Sequence, residues 1–162
     1  MPNIVTIFFL SHTLATGAND NLVLVWDDRN TNAPISTFND HQAAIKAVAF
    51  CPWQPRTLAT GGGSLDRHIR FWNLSTGNLI NSIDTGSQVS SIVWSSEEYK
   101  ELASAHGYSH NQVTVWKYPT MGKVADLQVS LICTNFWGNE KIMFAHSISI
   151  LFRLILQEFC LY

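Results

Sequence analysis

The stretch LATGGGSLDRHIRFW, residues 58–72, decides the fold of this protein. It begins with a short apolar segment that runs into three glycines, and glycine permits the positive φ values that a tight turn needs. After Asp66, residues 69–72 alternate with a period of two, which is typical of a pleated strand. The stretch therefore predicts a strand, a turn and a second strand.

The same phrase occurs three times at nearly constant spacing. Each copy begins with a leucine and closes with a tryptophan, and the leucines are 44 and 44 residues apart and the tryptophans 46 and 44, at Leu14, Leu58 and Leu102 and at Trp26, Trp72 and Trp116. A period of about 40–45 residues with a tryptophan near the end of a strand indicates β-propeller blades of the WD40 class. The predicted fold is all-β, with about three four-stranded antiparallel blades.

The repeats divide the chain into four parts. Residues 1–38 are predicted to form an incomplete blade, because the apolar residues at its start run together rather than alternate. Residues 39–84 and 85–127 are predicted to form two further blades. Residues 128–162 lack the repeat phrase and form a divergent hydrophobic tail, which we expect to be disordered or to derive from mistranslated, non-coding sequence.

Composition and charge narrow the classes of function. The 162 residues carry a net charge of −2, which gives no electrostatic reason to expect nucleic acid or an anionic membrane as a partner. The three cysteines form no spaced pairs, so neither a disulfide framework nor a metal site is predicted, and no cofactor is expected. Residues 142–162 are largely apolar but contain Arg153 and Glu158, which disfavours a membrane span relative to a buried helix.

Four polar residues of the second blade occupy the positions of the buried polar tetrad of WD40 repeats: His41, Thr60, Asp66 and Trp72. A buried indole N–H and a buried carboxylate each need a partner, and a histidine can bridge them. We interpret the tetrad as structural rather than catalytic. The corresponding turn of the third blade lacks the aspartate, so no tetrad is predicted there, and His106 and His110 are not expected to form a metal pair.

Several stretches resemble one family more closely than WD40 repeats in general. These stretches are residues 19–23, 51–54, 58–73, 85–95 and 99–127. They are similar to the fizzy family of anaphase-promoting complex activators. The phrases Cys-Pro-Trp-Gln and Tyr-Pro-Thr-Met favour the mitotic member of that family. The resemblance covers about residues 14–127. It implies a seven-bladed propeller that binds degron-bearing substrates and activates a ubiquitin ligase, in the nucleus and cytoplasm.

The resemblance also implies a site for the lysine-glutamate-asparagine degron, formed by Asn19, Asn21, Ser64 and Gln88. Amides and a hydroxyl suit an asparagine amide and a lysine ammonium, although asparagine is also common in tight turns that bind nothing. The arginine expected to pair with the degron's glutamate falls beyond residue 127, where the sequence has diverged. The family's two ligase-binding motifs are not found, so we expect a truncated form.

Three other interpretations remain at this stage. The chain could be a general WD40 protein-interaction scaffold, a non-functional fragment of a faulty gene model, or an enzyme. The third has little support, because the glycines 61–63 are not followed by the lysine and helix of a phosphate-binding loop, and no nucleophile elbow is found.

Overall fold

The computed structural model describes residues 4–10, 12–95, 100–107 and 111–128, and these form twelve strands in three antiparallel sheets of four. The predicted all-β fold is confirmed. No helix in these residues has the length and apolar character needed to cross a membrane. His110 and almost all of the predicted tail, residues 129–162, lie outside the described residues.

The first sheet has four strands in sequence order: β1 (Ile4–Leu10), β2 (Thr13–Ala18), β3 (Val23–Asp27) and β4 (Ser36–Phe38). The strand β1 pairs with β2 from Ile4 opposite Ala18 to Leu10 opposite Thr13. The apolar run that made this blade look incomplete in the sequence therefore supplies its first strand. Backbone pairing does not require alternation, which reports only how the two faces of a strand differ in burial.

The second and third sheets repeat this order, and in all three the leading leucine lies directly opposite the tryptophan. Gln128, assigned to the tail from sequence, ends the last strand. The strands are β5 (Ile45–Phe50), β6 (Thr57–Gly62), β7 (His68–Asn73) and β8 (Asn78–Asp84), then β9 (Gln88–Trp94), β10 (Glu101–Gly107), β11 (Gln112–Lys117) and β12 (Gly122–Gln128).

Neighbouring sheets pack closely because two glycines leave room for the next blade. A Cβ added at Gly17 would lie 2.3 Å from Cγ2 of Ile45, and one at Gly61 would lie 2.5 Å from Cγ1 of Val89. Apolar clusters fill both junctions, one between the first and second blades and one between the second and third. These contacts bring the ends of β2 and β6 against the starts of β5 and β9, so all four lie at one rim of the blades, here called the upper rim.

Candidate functional site

The structure brings the four predicted tetrad residues together inside the second blade. The Nδ1 atom of His41 lies 2.6 Å from Oδ2 of Asp66, and its Nε2 atom lies 2.7 Å from the hydroxyl of Thr60. The indole N–H of Trp72 donates to the same hydroxyl at 2.8 Å. All four residues are buried. The tetrad thus links two strands and two loops through a continuous series of hydrogen bonds.

The donor and acceptor in each hydrogen bond of the tetrad follow from the protonation state of His41. Burial lowers the pKa of His41, more than the hydrogen bond from its ring to Asp66 raises it, so the ring is neutral near pH 7 and carries one proton. A carboxylate can only accept, so that proton lies on Nδ1 and points at Asp66. The Nε2 atom of His41 then accepts from Thr60, whose hydroxyl accepts in turn from Trp72. Every polar group of the tetrad is satisfied.

A fifth member, Arg70, was not assigned to the network from sequence. Its Nη1 atom lies 2.9 and 2.7 Å from the two carboxylate oxygens of Asp66, and Arg70 is 8% exposed. Burial alone would raise the pKa of Asp66, but hydrogen bonds from His41, Arg70 and the N–H of Gln42 outweigh it and hold that pKa well below its usual range. A signal did exist: the period of two puts Arg70 on the same strand face as Trp72.

The first and third blades contain shorter versions of the network. Trp26 donates to Thr16 at 3.1 Å in the first blade, and Trp116 donates to Ser104 at 2.7 Å in the third. The hydroxyl of Ser104 also lies 2.7 Å from Nε2 of His106, a buried ring. The sequence predicted no tetrad in the third blade, and the described residues there form a shorter network in which a histidine from β10 reaches the serine.

The chain positions of these residues explain the difference between the blades. His106 follows Ser104 by two residues on one strand, so both side chains point to the same face. The equivalent residue of the second blade is Gly62, where a Cβ would lie 2.0 Å from Oδ2 of Asp66. Glycine therefore leaves space for the aspartate in the second blade, and the third blade fills the corresponding space with an imidazole.

The buried geometry limits what the tetrad can do chemically. A histidine between an aspartate and a threonine hydroxyl has the composition of a nucleophilic triad. Thr60, however, has no exposed surface, and its hydroxyl is already held by Trp72. No substrate reaches this oxygen unless the blade opens. In the described residues there is also no group of three histidine, cysteine or acidic side chains that could hold a metal ion.

The four predicted degron-binding residues all lie at the upper rim. Asn19 and Asn21 belong to the turn between β2 and β3, and Ser64 belongs to the turn between β6 and β7. Gln88 begins β9 and pairs with Gly107, the last residue of β10. Asn19 and Ser64 are exposed, whereas Asn21 and Gln88 are half-buried. Polar side chains from all three blades therefore share one edge of the structure.

The backbone conformation at position 21 offers a reason for an asparagine there other than degron binding. Its φ is 68°, in the left-handed region that asparagine tolerates better than most residues. The residues five positions before the other two tryptophans, Arg67 and Asn111, also have positive φ, at 57° and 45°. The turn geometry is thus common to all three blades, and a residue as large as arginine can adopt it. Conformation alone does not require an asparagine at position 21.

The tetrad holds the turn that carries Ser64. The N–H groups of Asp66 and Arg67 both donate to the carbonyl of Gly63, at 3.1 and 2.8 Å, and the N–H of Gly63 donates to Ala44 at 2.8 Å. The side chain of Asp66 folds back beneath this turn to reach His41. Ser64 therefore sits on a turn that is fixed from below by a buried ion pair and from the side by the segment before β5.

Comparison with protein families identifies the repeat. A family model described as WD domain, G-beta repeat matches residues 32–73. This range contains β4 to β7, whereas the second sheet consists of β5 to β8. The sequence repeat is therefore displaced by one strand from the structural blade, so that each matched unit connects two adjacent sheets.

Curated proteins match over most of the chain. The anaphase-promoting complex subunit cdc20 of Dictyostelium discoideum is 56% identical over 116 residues, which cover 70% of this chain and 23% of that protein. Protein FIZZY-RELATED 3 of Arabidopsis thaliana is 53% identical over 114 residues, with coverage of 70% and 23%. WD repeat-containing protein slp1 of Schizosaccharomyces pombe is 47% identical over 116 residues, with coverage of 72% and 23%. The chain spans about a quarter of the length of these relatives.

Solved structures with the same fold also match the chain. A chain in the crystal structure of the mitotic checkpoint complex superposes with a TM-score of 0.74 at 43% identity, covering 78% of this chain and 39% of that one. The computationally designed Ika4 protein gives a TM-score of 0.58 at 25% identity, covering 70% of this chain and 65% of that one.

Proposed function

The three blades of this chain belong to the fizzy family of WD40 proteins, and we therefore propose that the chain supplies part of a substrate-recognition adaptor that activates the anaphase-promoting complex. In this proposal the chain binds degron-bearing proteins in the nucleus and cytoplasm and performs no catalysis itself. The name of the Dictyostelium relative, anaphase-promoting complex subunit cdc20, supports it.

The observation that carries the proposal is the common rim shared by Asn19, Asn21, Ser64 and Gln88. Amide groups both donate and accept, so they can pair with an asparagine side chain and accept from a lysine ammonium. The hydroxyl of Ser64 adds a third kind of polar contact. A degron of lysine, glutamate and asparagine offers groups that match this set.

The same chemistry limits the affinity of the chain by itself. Each hydrogen bond contributes about 0.5–1.5 kcal/mol, and the loss of a charged, partly buried partner costs about 2–5 kcal/mol. By resemblance, the arginine that would meet the degron's glutamate does not lie within residues 14–127. Starting from a micromolar site, about −8 kcal/mol, that loss weakens binding to near millimolar. We therefore expect weak or no binding until the blades are completed.

The test grafts residues 14–127 into the corresponding region of the Dictyostelium relative and measures binding of a lysine-glutamate-asparagine peptide by calorimetry. Asn19→Ala should weaken binding by about 0.5–1.5 kcal/mol for each hydrogen bond lost. Asn21→Gly is better than an alanine substitution, because glycine accepts the φ of 68° and removes only the amide. The matched control is Asn78→Ala, an exposed asparagine at the start of β8, at the opposite rim. It should leave binding unchanged.

A different result would favour the general WD40 scaffold. If the graft with both Asn19→Ala and Asn21→Gly bound the peptide as well as the unmodified graft, these asparagines would be turn residues only. If the unmodified graft did not bind while the Dictyostelium protein itself did, the chain would lack the recognition chemistry of its relatives.

A further inference from the structure

A second surface lies at the opposite rim of the blades, between the first and second sheets. Two adjoining depressions of about 190 and 430 Å³ meet there and share three lining residues, Pro55, Arg56 and Ser75. We call them together the lower groove. It is formed by the start of β4 and by the two loops at the lower rim of the second sheet, 51–56 and 74–77. None of the predicted degron-binding residues lies in it.

One end of the lower groove is apolar. Val25 and Leu74 line it as extensions of the core between the two blades. Ile35 lines the same end and is 60% exposed, so its apolar surface is available to a ligand. An aliphatic or aromatic side chain inserted here would cover Ile35 and remove its apolar surface from water.

The other component of the groove is a single positive charge. Arg56 is the only ionisable residue among the described residues that line it. Its Nη1 atom donates to the hydroxyl of Ser75 at 2.9 Å, and no described carboxylate forms an ion pair with it. Asp27, which pairs with the groove residue Thr13 in the first sheet, is already held by Arg29, at 2.9 and 2.7 Å. The charge of Arg56 therefore remains open to an external anion.

The loops that carry these residues are fixed before anything binds. The N–H of Leu74 donates to the carbonyl of Arg56 at 2.8 Å, which joins the two loops. The N–H of Thr57 donates to Gln54 at 2.8 Å, and the N–H of Ser75 donates to the side chain of Asn73 at 2.9 Å. A groove that is ordered in advance loses less conformational entropy on binding.

We propose that the lower groove binds a short extended peptide of a partner protein in which an acidic residue adjoins a large apolar residue. The apolar side chain packs on Ile35 and Leu74, and the carboxylate pairs with Arg56, whose planar guanidinium can offer two parallel N–H donors. The choice of an acidic partner rests on charge complementarity, since Arg56 gives the groove a positive charge that no lining acid balances. The interaction is small in area and therefore transient.

The test uses the full chain and fluorescein-labelled hexapeptides with glycine and serine flanks, measured by fluorescence polarisation. The central pairs are Asp-Phe and Phe-Asp, with Asn-Phe, Phe-Asn and Asp-Ala as controls. At least one of the first two should bind about tenfold more tightly than its amide and alanine controls, a ratio that 1.4 kcal/mol accounts for. This preference for aspartate over asparagine should shrink as salt is raised, because exposed charges are screened.

Protein variants then locate the site. Arg56→Gln should remove the preference for aspartate, and Ile35→Ser should weaken binding of the Phe peptides about tenfold. The matched control is Arg67→Gln, an exposed arginine at the upper rim that pairs with Asp84 at 3.1 Å. It should change neither value. Thermal unfolding of each variant checks that the fold is retained, and the comparison among peptides on the unmodified chain needs no variant at all.

Three outcomes would overturn the proposal. They are equal affinity for the aspartate and asparagine peptides, no binding of any peptide at about millimolar concentration, or an equal loss of binding in Arg56→Gln and Arg67→Gln. The degron test above uses the other rim and other residues, so either proposal can fail without the other.

Discussion

Removing the carboxylate of Asp66 is the sharpest perturbation of this fold. Asp66 is 3% exposed and accepts from His41, Arg70 and the backbone N–H of Gln42. Asp66→Ala leaves the guanidinium of Arg70 2.7 Å from Nδ1 of His41 with no anion between them. A buried cation then lies against a polar ring and has lost its only described carboxylate partner.

The structure sets the size of the effect. If His41 were the only partner of Asp66, Asp66→Ala would leave one buried polar group unsatisfied, at a cost of about 1–3 kcal/mol. Breaking a buried ion pair by removing one partner costs about 3–5 kcal/mol. Arg70 is 8% exposed and can turn partly toward water, so we expect the lower end, about 3 kcal/mol. For a chain of 162 residues this lowers the melting temperature by roughly 10 °C.

Two further variants separate the ion pair from other effects. Asp20→Ala removes the equivalent aspartate of the first blade, which is exposed and, within the described residues, accepts only from the N–H of Leu22, so its cost should stay below about 1 kcal/mol. Asp66→Ala combined with Arg70→Leu removes both charges and should recover about 1–2 kcal/mol relative to Asp66→Ala. Leucine is a sound choice, because Leu24 occupies the equivalent register position in the first blade.

Differential scanning calorimetry of the four proteins measures these differences. Equal melting temperatures for Asp66→Ala and Asp20→Ala would mean that the buried ion pair does not stabilise the second blade. A further loss of stability on adding Arg70→Leu to Asp66→Ala would mean that the arginine stabilises the fold without its carboxylate.

Three other predictions follow from the same contacts. Burial lowers the pKa of His41, so this ring binds a proton more readily in the unfolded chain than in the folded one. Stability should therefore fall as pH drops below about 6.5. Denaturant titrations from pH 8 to 5 should show a weaker fall for His41→Gln. Gly61→Ala should destabilise by about 1–3 kcal/mol, because the new Cβ would lie 2.5 Å from Val89; Gly77→Ala, with φ +70° and nothing within 4 Å, should lose only about 1 kcal/mol from backbone strain. His106→Ala should cost about 1–3 kcal/mol in urea unfolding, because it removes a buried partner of the third-blade serine.

Each of these predictions has a clear contrary result. Parallel pH profiles for the wild-type chain and His41→Gln would mean that this ring does not contribute to the pH dependence. A larger loss for Gly77→Ala than for Gly61→Ala would mean that the blades can separate without strain. Unchanged stability of His106→Ala would show that the third blade does not depend on its imidazole.

The repeated phrase determined the fold because its information is local. Alternation at period two and a turn between paired strands are properties of short segments, and the leucine and tryptophan that mark them recur every 44 to 46 residues. The pairing of Leu58 with Trp72 follows from the turn between them, since turn length sets the register of the two strands. The tetrad could be predicted for a related reason, because its four residues lie within one repeat, at the positions typical of WD40 repeats.

Tertiary structure decided the features that depend on more than one segment. Arg70 joins the tetrad because a loop residue, Asp66, folds back beneath the turn onto the same buried face, and strand periodicity gives the face but not the partner. In the second blade the histidine of the network lies in the loop before β5, whereas in the third blade His106 lies on β10. The spacing of the tetrad therefore does not predict the role of His106.

The lower groove depends most of all on packing. Ile35 and Leu74 belong to different blades, and they line one depression because the first and second sheets pack against each other through a shared apolar cluster. Neither segment carries a pattern that specifies its neighbour, since a loop residue is free of the periodicity that burial imposes on strands. The sequence by itself therefore determined the blades and their registers, whereas the surfaces between blades arose from contacts between residues far apart in the chain.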